Sequence, residues 1–110
     1  MEVRLVQLLA SFISVSADYA LARLEFALRD PAVPAPPIIE RLPDASEESL
    51  RSRWPEIETQ LDAALAYAKH LPPSRSNDDE KGAAGWLRRT VREMDQYARA
   101  IRWVLTVTER

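Results

Sequence analysis

An all-α fold is what this 110-residue sequence predicts, on three observations. Apolar residues recur at alternating spacings of three and four along three separate segments, the repeat of a helix with one buried stripe. Two glycines stand against eight prolines, too little glycine for the hairpins of a multi-turn β architecture. Seven of the prolines fall between the periodic segments, where they mark connections. With 46% hydrophobic and 29% charged residues, the chain reads as a single helical domain over residues 1–110. Folding a chain of this size buries about 65% of its unfolded surface, enough for a core without staples. The expected architecture is an antiparallel three-helix bundle, or four helices if the second breaks at Pro55, with two copies associating into a homodimeric helical bundle.

The first helix is expected over about residues 2–29, ending where Asp30-Pro31 pushes the backbone out of the α region. Leu5, Leu8, Phe12, Val15, Tyr19, Ala22 and Phe26 form one apolar stripe, and Leu9, Ile13, Ala20, Leu24 and Ala27 form a second beside it. Val6, Ala17, Leu21 and Leu28 widen the apolar arc until only a strip with Gln7, Ser14, Asp18, Glu25 and Arg29 stays polar. Two partner helices do not cover that much surface. The expectation is therefore an interface with another chain, carried by Leu5, Leu9, Phe12, Ile13, Tyr19 and Leu24.

Residues 30–43 hold five of the eight prolines, including two overlapping PxxP patterns, Pro31 to Pro34 and Pro34 to Pro37. An aromatic groove that reads polyproline II would fit them. The reading preferred here is a stiff connector with Ile38, Ile39 and Leu42 folded back onto the core.

The second helix is expected over about 45–70, opened by Asp44 as cap with Glu47 reaching back, and closed by Pro72-Pro73. Leu50, Trp54, Ile57, Leu61, Ala64, Ala68 and Leu71 form its seam, and Pro55 inside it predicts a kink or a restart. The third helix is expected over about 78–107, from Asn77 with Asp78, Asp79 and Glu80 in its first turn, or from as late as Trp86 given Gly82 and Gly85. Its seam is Leu87, Val91, Met94, Ala98, Ile101 and Leu105.

Composition excludes several chemistries. A chain without cysteine is no disulfide scaffold, Cys-ligated zinc module, iron–sulfur protein or thiol enzyme, and a single histidine, His70, makes no His-rich metal site. A helical ribonuclease with arginine four to six residues ahead of histidine would need that arginine at Ala63, Ala64 or Leu65. His70 reads instead as a helix C-terminal residue interacting with the last carbonyls. The acidic clusters Glu47/Glu48 and Asp78/Asp79/Glu80 suit helix first turns, and the serines of the first helix lie in no nucleophile motif. No enzyme, cofactor or metal is expected.

The net charge of −2 is uneven: residues 1–80 balance at −6 and residues 81–110 at +4. On the third helix Lys81, Arg88, Arg92, Arg99 and Arg102 fall within about 40° of one line at ~100° per residue, with Trp103 close by. That face suits a solvated exterior, since Asp95 lies within it; an acidic protein partner or a nucleic-acid backbone are the sharper readings. Trp54, Trp86, Tyr67 and Tyr97 lie on or beside seams and read as core or interface aromatics.

No run of ~18 uninterrupted apolar residues occurs, and no signal layout precedes the first helix, so a cytoplasmic protein without a membrane partner is expected. The leading functional expectation is a non-enzymatic, bacterial-type adaptor or assembly subunit that self-associates through the first helix and binds another, unidentified protein. A nucleic-acid-binding subunit using the arginine stripe is the alternative, and a small-molecule sensor with a pocket between the helices is the third.

Overall fold

The computed structural model describes residues 3–29, 31–41, 46–71 and 82–108. These form three helices, α1 (Val3–Arg29), α2 (Glu47–Lys69) and α3 (Ala83–Thr108), and no strand among the described residues. The three predicted seams supply one core, with Leu8, Ala68 and Leu71 half-buried against it. From α1 come Leu5, Leu9, Phe12, Val15, Tyr19, Ala22 and Phe26; from α2 Leu50, Trp54, Ile57, Leu61 and Ala64; from α3 Leu87, Val91, Met94, Ala98, Ile101, Val104 and Leu105. Thr90 joins them with its hydroxyl donated to the carbonyl of Leu87 at 2.9 Å, which satisfies the polar group inside its own helix.

α3 packs closely along α1 and runs antiparallel to it: the Arg4 guanidinium lies 6.0 Å from the Trp103 ring, while Glu25 and Arg29 border Ala83 and Trp86. It is antiparallel to α2 as well, with Arg102 beside Glu58 and Arg88 beside Ala68. α1 and α2 are therefore parallel, which corrects the expectation that consecutive helices run in opposite directions. They do not approach within 8 Å between Cα atoms and meet through aromatic side chains. Phe12 packs edge-on against Trp54 at 5.4 Å, and Phe26 against Tyr67 at 6.1 Å.

The connector explains this topology. α1 is about 40 Å long at 1.5 Å per residue, and the seventeen residues 30–46 reach about 50 Å at the ~3.1 Å per residue of extended, proline-rich chain. That is enough to return the chain to the starting end before α2 begins. Residues 34–40 run back between α1 and α2 as a strap. The Tyr19 hydroxyl donates to the carbonyl of Pro37 at 2.6 Å, Arg23 Nε to the carbonyl of Pro36 at 2.7 Å, and the Tyr67 hydroxyl to the carbonyl of Pro34. The amide of Glu40 donates to Oε1 of Gln60 at 2.8 Å. Pro36 is fully buried and Ile39 packs on the core, whereas Ile38 faces solvent, contrary to the folded-back placement expected for it. Leu42 lies outside the described residues.

Two further expectations for α2 are corrected. Its cap is Ser46, in extended geometry, whose Oγ accepts the amide of Ser49 at 3.1 Å; Asp44 lies outside the described residues. Pro55 does not divide the helix, so there is no fourth helix from this source. Leu50 and Trp54 before it and Ile57 and Leu61 after it are all buried. At about 1.5–3 kcal/mol each, their burial outweighs the ~3 kcal/mol cost of an interior proline. At the C-terminal end His70 occupies the cap position, but it is the backbone amide, not the imidazole, that donates to the carbonyls of Tyr67 (3.1 Å) and Ala66 (3.3 Å). The expected early start of the third helix, including Asn77 to Glu80, lies outside the described residues; in the described part, the amide of Trp86 bonds the carbonyl of Gly82 at 3.0 Å.

Candidate functional site

The interface expected on the first helix divides in two. Leu5, Leu9, Phe12 and Tyr19 are buried inside their own chain against α2, α3 and the strap, so they are core and not interface. The strap adds a third covering element to the two helices and closes over α1 at Tyr19 and Arg23. Ile13 and Leu24 do lie on the outside.

They belong to a second apolar seam on the opposite side of α1: Val6, Ala10, Ile13, Ala17, Ala20 and Leu24, spaced four, three, four, three and four. Leu21 and Leu28 flank it, and at ~100° per residue all eight side chains fall within about 60° of one line. Exposure of its large members runs from 41% at Ile13 to 71% at Leu28. The seam extends about 33 Å along the helix. Of its members only Ala10 lies outside the apolar positions that periodicity picks out.

Arg4–Arg29 is also long and apolar enough to cross a membrane by length and composition. Its outer side alone is uncovered, however, because its inner side carries the core seam.

The basic face of α3 is less uniform than its spacing suggests. Arg99 pairs with Asp95 at 3.1 Å and Arg102 with Glu58 of α2 at 3.1 Å. Trp103 is exposed, with the Arg4 guanidinium over its ring. Lys81 lies outside the described residues. Arg88 and Arg92 sit at the other end of the helix, where they and Lys69 rim a groove of about 400 Å³ floored by Leu65, Ala68 and Val91. Lys69 comes from α2, so the spacing of cations along α3 alone does not reveal it. The five expected cations therefore do not act as one stripe: acids neutralise two, and two turn towards α2.

Among the described residues no group of three His, Asp or Glu side chains could hold a metal ion. The titration of Tyr19 is strongly displaced: its buried hydroxyl has its pKa pushed up to about 12 by desolvation, against a smaller lowering by Arg23. Its proton is committed to the carbonyl of Pro37, a structural bond. Comparison of the chain with protein-family models, with curated proteins and with solved structures gives no match.

Proposed function

We propose that this chain is a non-enzymatic interaction module, a small helical adaptor or assembly subunit that self-associates through the outer face of α1. The carrying observation is the exposed seam from Val6 to Leu28. Isolated exposed apolar residues are ordinary, but a continuous stripe of this length marks an interaction surface. Its regular spacing of three and four matches the pattern by which one helix packs into another.

Light scattering after size-exclusion chromatography tests the reading. The expected mass is twice the 12.5 kDa of the chain. Ile13→Glu with Leu24→Glu should return it to a single chain with unchanged far-ultraviolet circular dichroism, since neither side chain belongs to the core. A wild-type chain that stays monomeric at hundreds of micromolar, or a double variant that stays dimeric, refutes the proposal.

A further inference from the structure

Resting on that reading, we infer that the second copy docks antiparallel, with the two α1 helices crossing about a twofold axis at Ala17. The seam is centred there: Val6 and Leu28 lie eleven residues to either side. Antiparallel pairing about Ala17 sets Ala10 against Leu24 of the second copy, Ile13 against its Leu21, and Val6 against its Leu28. Of the large side chains, Leu24 thus meets an alanine, Ala20 falls opposite Ser14, and Ala17 meets Ala17 where the helices come closest. Small side chains then sit at the crossing point, while Ile13 with Leu21 and Val6 with Leu28 fill the gap that widens as two crossing helices diverge. Parallel pairing instead puts Leu24 on Leu24 and Ile13 on Ile13 while Ala10, Ala17 and Ala20 face themselves, alternating crowded layers with empty ones. Antiparallel helices also align their dipoles favourably.

The area suits a second copy. Val6, Ile13, Leu21, Leu24 and Leu28 together leave about 500 Å² open, and the alanines and flanking side chains bring this towards the ~800 Å² that each partner buries in a standard interface. A bilayer is the poorer occupant, because a membrane span needs apolar surface all round. The outer stripe of α1 is bordered by Gln7, Ser14, Asp18 and Glu25, and its remaining face is held by α3 and the strap.

A chain without cysteine makes the test direct, since every introduced thiol is the sole one present. Ala17→Cys should oxidise to a covalent dimer in high yield, because the two positions meet at the axis. Ile13→Cys or Leu24→Cys alone should not, as each lies four or more residues from the axis and its symmetry mate is ~12 Å or further away along the helix. Mixing Ala10→Cys with Leu24→Cys should give a heterodimeric cross-link. Self-cross-linking of Ile13→Cys and Leu24→Cys overturns the antiparallel arrangement in favour of a parallel one. A dimer by light scattering that none of these thiols cross-links places the interface elsewhere and overturns the inference together with the α1 surface. A monomer overturns the underlying reading, and a monomer that floats with phosphatidylcholine vesicles assigns the seam to lipid.

Discussion

The hydroxyl of Tyr19 reaches the carbonyl of Pro37 from inside the core; the bond contributes to stability, and the burial of the phenol makes that stability depend on pH. In the unfolded chain the phenol ionises near 10, whereas in the folded chain it does so at about 12. Between those values the native state keeps a proton that the unfolded state has lost. The contribution is therefore complete below pH 10 and is lost as pH rises towards 12, at no more than about 1.4 kcal/mol per unit. Tyr19→Phe should cost about 1 kcal/mol at neutral pH and flatten the alkaline loss. Urea titrations of both proteins from pH 7 to 11.5 read the two effects separately. The periodicity of α1 located Tyr19 on an apolar stripe but assigned it to a foreign chain, because nothing periodic announces where a proline segment will run. Trp54 poses the complementary case: it was legible as a seam residue, yet its buried Nε1 has no hydrogen-bond partner among the described residues.

At the scale of the elements, the helices were legible because each carries a long periodic seam: the six seam residues named on α3 are all buried, joined by Thr90 and Val104, and on α2 burial runs from Leu50 to Ala64, with Ala68 and Leu71 half-exposed. Ends were less legible, since Ser46 caps α2 with one hydroxyl, a local signal easily outvoted by the Asp44 and Glu47 pattern. Pro55 misled for a related reason: propensity is local, whereas the burial that overrides it is shared along the whole helix. Its ring is exposed, and the hydroxyl of Thr59 donates to its carbonyl at 3.0 Å. Pro55→Ala should leave the core untouched and raise stability by about 1–3 kcal/mol, measured as an increase in the urea midpoint with an unchanged slope. α1 differs from its neighbours in having two seams. The large side chains of both were visible in the sequence, but which seam faced inward depended on how many elements surround the helix.

Across the whole molecule, which extends 46 × 22 × 19 Å, charge is distributed to cancel locally. Arg99 and Arg102 of the basic end pair with Asp95 and Glu58, and Lys69, Arg88 and Arg92 rim the α2–α3 groove. Three cations above a groove are a short electrostatic footprint for a nucleic-acid backbone on a chain of net charge −2. A fluorescent single-stranded oligonucleotide should show no anisotropy change with micromolar protein at 50 mM salt; binding that falls steeply with salt would restore the arginine face as a site. Fold class was readable because periodicity survives any arrangement of helices, while helix direction was not, because it depends on a connector length that permits either sense. The close pairing of α1 with α3 also sets an order of events in synthesis. Fifty-three residues separate the end of α1 from the start of α3, so at ~5–20 residues per second the ribosome adds them over roughly 3–10 s. Throughout that interval the nascent first helix lacks the neighbour that covers its inner seam, so that apolar stripe stays open until α3 is made.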